Sequence, residues 1–198
     1  MNTLIKMSLI AALAFLLTPT VFAQQKAKKV KSFKVTKVIP FSAEKVWAIV
    51  GADYGAIANS HPKIIRSNYI NGTLKAEEGA ERICYFNKKG TQYLKEKITS
   101  YDPENMTFVN TVSKAGKFPV DPAYTKAIYK VTPIDANSCE MSFDMEFRTK
   151  PAILGGMMKG SFKKLIQDYM ISIEHHIRTG EKVTAENFKD IKKLYASK

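Results

Sequence analysis

Arg82 and Glu96 are the residues of this sequence whose types and surroundings best suit chemistry. Arg82 shares a period-two face with Cys84 and Phe86, and Glu96 shares one with Leu94 and Ile98. Side chains two apart on a strand point to the same side of a sheet. If both faces turn inward, a guanidinium and a carboxylate meet among apolar neighbours. Such a pair can orient the polar end of a ligand, and a carboxylate left unpaired there has a raised pKa. It can equally be a structural ion pair. Ile83 and Tyr85 compete with Arg82 for the inner side of the strand, which leaves its facing open. His61 is the third candidate. An imidazole titrates near neutral pH and can act as general acid or base, while a His-Pro step at a helix exit is also an ordinary turn.

Other constellations are missing from the sequence. There is no Gly-x-Ser-x-Gly elbow, no Cys-x-x-Cys and no His-x-x-x-His, and neither Cys84 nor Cys139 has a histidine close by. His175 and His176 are adjacent on a helix, where neighbours point ~100° apart, so they cannot hold one metal from one face. The sequence predicts neither a metal site nor a cofactor.

The elements that must position these candidates follow from periodicity. Residues 31–39 alternate as a strand. Ser42 is placed to cap a helix, with Glu44 in its first turn and Val46, Trp47, Ile49 and Val50 as its apolar face. Gly51 and Gly55 interrupt it, and a second short helix runs to Asn59. Strands are then predicted over 64–70, 80–87, 91–101, 106–112, 123–133 and 139–147, joined by turns such as Asn71-Gly72 and Asn87-Lys88-Lys89-Gly90. The last strand is the clearest. Cys139, Met141, Phe143, Met145 and Phe147 face one way, and Glu140, Ser142, Asp144 and Glu146 the other. Over residues 153–178 the period becomes helical, with Phe162, Leu165, Ile166, Tyr169, Ile173 and Ile177 on one stripe and Gly180 as the stop. Thr184 can cap a short tail helix carrying Phe188, Ile191, Leu194 and Tyr195 on one side. A twisted antiparallel sheet with one apolar face needs a cover, and the long helix is the element able to supply it.

The N-terminal residues read as an export signal. Lys6 precedes an apolar run over 9–17, Thr18-Pro19-Thr20 breaks it, and Val21 and Ala23 are the small residues before a cut after Ala23. The run is too short for a span, which needs ~20 apolar residues. The expected organisation is therefore a signal peptide at 1–23, a basic leader at 24–30, one domain at 31–180 and an amphipathic tail helix at 181–198. The expected location is periplasmic or secreted. The formal charge is +13, but its lysines are dispersed, with no basic helix and no zinc-finger spacing, so nucleic acid is not the expected partner. The charge admits peripheral contact with an anionic membrane surface or an acidic protein; it leaves the oligomeric state open. Export permits a disulfide, yet Cys84 and Cys139 sit in apolar strand patterns and are expected to be buried and unbonded.

The order of strand, two short helices, six strands and long helix resembles the START-like (SRPBCC) superfamily, in its polyketide cyclase/dehydrase and lipid-transport branch. The likeness covers about residues 31–178. It is carried by Phe41 to Trp47, Asn59 to Pro62, Gly79 to Arg82, Gly90, Leu94 to Ile98, Tyr101-Asp102 and the long last helix. The resemblance implies an α+β helix-grip fold, a curved antiparallel sheet wrapped around a long C-terminal helix with a cavity between. It implies ligand contacts at Arg82, Cys84, Phe86, Glu96, Phe108, Asn110 and Tyr129. The apolar faces of the last strand and helix add Met141, Phe143, Met158, Phe162 and Ile166. One departure is Ser60, where many relatives carry a tryptophan before the His-Pro step.

Three functions are consistent with this reading. The first is binding or transport of a hydrophobic small molecule, lipid-like or aromatic, outside the cytoplasm. It calls for a cavity of roughly 300–1,000 Å³ walled by Phe108, Tyr129, Phe143 and Phe162. The second is a cyclase or dehydratase in which Glu96 moves a proton and Arg82 or Tyr129 stabilises an enolate oxygen. The third is a periplasmic accessory protein acting through its basic surface and tail helix.

Overall fold

The computed structural model describes residues 30–196. The expected signal peptide, and the basic leader up to residue 29, lie outside them. Seven strands form one antiparallel sheet: β1 (Lys31–Ile39), β2 (Arg66–Tyr69), β3 (Glu81–Tyr85), β4 (Tyr93–Asp102), β5 (Thr107–Ala115), β6 (Lys126–Asp135) and β7 (Ser138–Phe147). Their order is β1-β7-β6-β5-β4-β3-β2. Between β1 and β2 run α1 (Ala43–Trp47), a π-helical turn (Ala48–Ala52) and a 3-10 helix (Tyr54–Asn59). A 3-10 turn at Ala152–Leu154 leads into the long α2 (Gly155–Thr179), and α3 (Phe188–Ala196) closes the described chain. This is the curved sheet and long C-terminal helix of a helix-grip fold.

The sheet has one buried face because its strands alternate. Phe108, Asn110 and Val112 of β5, Ala127, Tyr129 and Val131 of β6, and Cys139, Met141 and Phe143 of β7 are all buried. Opposite them α2 turns in Phe162, Ile166, Tyr169, Met170 and Ile173, and the whole forms one apolar cluster. Full burial of each large apolar side chain contributes roughly 1.5–3 kcal/mol.

β1 breaks its own alternation at Lys37, which follows Phe33 and Val35 on the inner register. Its Nζ meets Glu174 Oε2 at 2.9 Å, and Arg178 reaches the same carboxylate at 3.2 Å. The Glu174 side chain is only 4% exposed, so the two cations balance a buried charge and tie the C-terminal half of α2 to the sheet edge. Gly180 ends α2 with φ 71°, its N–H bonded to the His176 carbonyl at 2.8 Å. That left-handed cap favours glycine.

Several sequence expectations are corrected locally. Gly51 does not interrupt its helix; the chain continues through it as the π-helical turn. A Cβ there would lie 2.5 Å from the Trp47 ring, so the glycine admits the indole. Ser42 occupies the N-cap position of α1 but makes no side-chain capping bond. β2 begins at Arg66 because the Ile64 N–H is still held in a turn by His61. Ser142 is buried, flanked by Thr36 and Lys130 on the neighbouring strands. In the tail, Phe188 and Ile191 join Val183 in a small cluster packed with Ile171 of α2, whereas Leu194 is 62% exposed. Cys84 and Cys139 are free, buried thiols.

Candidate functional site

Arg82 and Glu96 stand directly opposite each other on β3 and β4. Arg82 turns inward on the face of Cys84, which settles the ambiguity left by Ile83 and Tyr85. Its Nε donates to Glu96 Oε2 at 2.8 Å and its Nη1 to the Tyr54 carbonyl at 2.7 Å. The guanidinium lies 3.9 Å over the Tyr54 ring. The pairing of β4 with β5 shifts register between Lys95 and Glu96, and a bulge of this kind re-aims a side chain. Asn110 of β5 then donates to Glu96 Oε1 at 2.9 Å and accepts from the Tyr54 hydroxyl at 2.7 Å. Arg82, Glu96, Asn110 and Tyr54 thus close a ring of hydrogen bonds drawn from four elements.

The electrostatics of the ring are self-contained. Burial works against the guanidinium charge, but Glu96, helped by Cys84, Tyr54 and Tyr129, outweighs it and holds the Arg82 pKa well above its usual value. Burial pushes the Cys84 thiol up, despite Arg82 nearby. A thiol so raised is not an activated nucleophile.

His61 closes the turn after the 3-10 helix. Its Nδ1 accepts from the backbone N–H groups of Lys63 at 3.1 Å and Ile64 at 3.2 Å. A nitrogen that accepts two N–H groups carries no proton, so the proton of the neutral ring sits on Nε2. The ring is buried against Tyr169, with centroids 4.8 Å apart. Burial, followed by repulsion from Arg82, lowers its pKa to about 3. His61 is therefore a fixed neutral donor and not the acid or base candidate of the sequence reading.

This pKa has a consequence for stability. The unfolded histidine takes up its proton near pH 6.5 and the folded one near 3. Stability is thus unaffected above about pH 6.5 and falls as pH drops, by up to ~1.4 kcal/mol per unit. An His61→Asn protein keeps an acceptor near the Nδ1 position and has nothing to titrate. Urea denaturation between pH 7 and 4 should show a flatter acid limb for the variant, and parallel curves would mean that His61 is not held neutral.

The space between α2 and the sheet is a cavity of about 80 Å³. This is smaller than the expected 300–1,000 Å³, for a visible reason. Phe86 and Phe118 meet at 4.6 Å, and Phe118 stacks on Phe162 at 6.1 Å, so three rings fill one end. Arg82, Phe86, Glu96, Tyr129, Phe143, Phe162, Ile166 and His61 line the cavity. The other sequence candidates do not. Cys84 sits behind Glu96, 3.5 Å from Oε2. Phe108 is covered by Tyr129, stacked on it at 4.4 Å. Asn110 is spent on Glu96 and Tyr54. Met141 pairs with Lys37 and Val131, where the core is filled, and Met158 packs at the edge, partly exposed.

The sequence reading missed Ile57, Ile64, Leu94, Phe118, Met145, Leu165 and Tyr169 as wall residues. Leu165 and Tyr169 were legible as part of the α2 stripe. Phe118 lies in a loop, where no period marks the inside.

Residues 31–173 match the family described as polyketide cyclase/dehydrase and lipid transport. The chain belongs to that family. No curated protein matches it in sequence. Among solved structures, the family member is similar to the Zhui aromatase/cyclase from Streptomyces sp. R1128 at TM-score 0.63 and 11% identity, covering 76% of this chain and 94% of that one. Norcoclaurine synthase from Thalictrum flavum, in complex with dopamine and hydroxybenzaldehyde, aligns at 0.59 and 16%, covering 84% and 96%. A START superfamily protein from Mycobacterium smegmatis aligns at 0.58 and 16%, covering 74% and 97%. These identities speak for the fold. Among the described residues of this polyketide cyclase/dehydrase and lipid-transport family member, no three side chains are grouped to hold a metal, and no helix is long and apolar enough to cross a membrane.

Proposed function

We propose that this protein binds a lipid-like or aromatic small molecule between its sheet and α2, outside the cytoplasm. The observation that carries this reading is an apolar cavity whose one buried ion pair, Arg82 with Glu96, is satisfied by the protein itself. A guanidinium already given to a carboxylate and a carbonyl fixes the wall without demanding a charged ligand. The family description includes lipid transport, and one neighbour of the same fold holds dopamine and hydroxybenzaldehyde. Ligands larger than a small ring enter by displacing the Phe86, Phe118 and Phe162 rings. The export-like pattern of the N-terminal residues supports the location.

A cyclase or dehydratase is the second reading. It is favoured by Glu96 lying on the cavity wall, and by the aromatase/cyclase among the structural neighbours. Against it, both carboxylate oxygens are already engaged, Oε2 by Arg82 and Oε1 by Asn110. Donors to both oxygens stabilise the ionised carboxylate and make it a weaker base.

The contact with an anionic membrane surface also has a specific support. Residues 113–120 and 148–167, which include Phe118 and Phe162, hold Lys114, Lys117, Arg148, Lys150, Lys159, Lys163 and Lys164 and no acidic residue, with Asp121 and Asp168 just outside pairing Arg148, Lys150 and Lys164. Basic clusters of this sort are drawn to anionic lipid.

The deciding experiment is native mass spectrometry of the protein purified from its own host. An apolar molecule retained in the native ion and released on unfolding is the expected result. A ligand-free protein that also fails to retain added hydrophobic compounds would overturn the binding reading.

A further inference from the structure

We infer that the ligand presents an uncharged hydrogen-bond acceptor, a ketone or aldehyde carbonyl above all, to two donors on the cavity wall: His61 Nε2–H and the Tyr129 hydroxyl. The inference rests on the ligand-binding reading above and names the chemistry of its polar end.

The donors are the uncharged polar groups of the wall that have no partner among the described residues. The Tyr169 hydroxyl is taken by Ser60, and the Tyr54 hydroxyl behind the wall by Asn110. Glu96 accepts from Arg82 and Asn110, and Arg82 gives its Nε to Glu96 and its Nη1 to the Tyr54 carbonyl; its Nη2 makes no bond among the described residues, but its charge is neutralised by Glu96. His61 and Tyr129 differ. His61 is 4% exposed, its Nδ1 is occupied, and its Nε2 has no partner among the described residues. Tyr129 is 5% exposed, and its ring is fixed between Phe108 at 4.4 Å and Phe143 at 4.7 Å. Its hydroxyl likewise has no partner among the described residues. No fully buried side-chain nitrogen or oxygen among them lacks a partner, so both donors must reach free space. Both residues line the same cavity.

The charge balance decides which acceptor fits. A carboxylate ligand would find no net positive charge, since Glu96 neutralises Arg82. It would have to shed its water beside that second carboxylate, which is costly. A neutral carbonyl has two lone pairs, matching two donors, and needs no counter-charge. A pure hydrocarbon would leave both donors dry and unmatched.

Acetophenone, benzoate and isopropylbenzene share a phenyl ring and a similar shape, and differ in just this feature. Their binding to the full chain at pH 7 can be compared by calorimetry or ligand-detected NMR. Acetophenone is expected to bind at least about 3- to 10-fold more tightly than either of the others, the range of one net hydrogen bond. Tyr129→Phe and His61→Asn should each weaken acetophenone by a similar factor and leave isopropylbenzene nearly unchanged. Tyr129→Phe preserves shape and carries the test if His61→Asn does not fold. Benzoate binding as tightly as acetophenone, or variants that weaken all three compounds alike, would overturn the inference while leaving the binding reading intact. Failure of all three to bind would count against the cavity as a ligand site, and the inference would fall with it.

Discussion

Glu96→Leu is expected to destabilise the protein by about 3–5 kcal/mol, and Arg82→Met by about as much. Either change leaves an ion without its partner in a place where water cannot replace it: the Arg82 side chain is 2% exposed and that of Glu96 12%. Removing both together should cost far less than the sum. The double variant strands no charge. What it leaves are the Asn110 amide and the Tyr54 carbonyl without their partners, at roughly 1–3 kcal/mol each. The double variant is therefore expected to fall near either single one, with a coupling energy of a few kcal/mol. Urea denaturation of the four proteins closes the cycle. Strict additivity, or single variants that cost less than about 1 kcal/mol, would mean that the pair is solvated and not part of the wall. The same variants separate the functional readings. Loss of Glu96 removes the acid or base of any cyclase chemistry, while a neutral ligand held by His61 and Tyr129 loses no direct partner.

Much of this arrangement was legible in the sequence, and the limits have physical causes. Period two placed Phe143 of β7 on the inner face, and the 3.6-residue stripe placed Phe162, Ile166 and Tyr169 on α2, because burial on one side imposes a repeat. Arg82 and Glu96 were recognisable as charges set in apolar repeats. Their mutual register was not, since it is set by how the β3–β4 hairpin closes around its turn, and the β4–β5 bulge that brings Asn110 to Glu96 leaves no mark in periodicity. The choice between the two readings of His61 was hidden for a related reason. Its tautomer is fixed by two backbone N–H groups of the following turn, and backbone geometry of that sort is invisible in residue types. The cavity size was also out of reach. It is set by Phe118, a loop residue whose ring is delivered between Phe86 and Phe162 by tertiary structure alone.

Phe162→Ala tests whether the room between helix and sheet is one continuous space. The Phe162 ring is 5% exposed and wedged between Phe118 and Phe147, with ring centroids at 6.1 and 5.0 Å. A buried Phe→Ala change costs about 3–5 kcal/mol when the surroundings cannot collapse into the gap. Collapse is resisted here because α2 is pinned further along by Glu174 to Lys37, and by Ile173 and Met170 in the filled part of the core. The lost ring should therefore add its volume to the existing cavity of about 80 Å³. Apolar cavities of about 150 Å³ stay dry and take up benzene. Saturating benzene is then expected to raise the melting temperature of Phe162→Ala clearly more than that of the unaltered protein, by mass action on the folded state. Phe162→Leu offers a milder enlargement if the alanine variant does not fold. A variant that loses little stability and ignores benzene would show that α2 settles onto the sheet. The gap beneath its N-terminal half would then be incidental, and the apolar faces would have no reason to admit a guest.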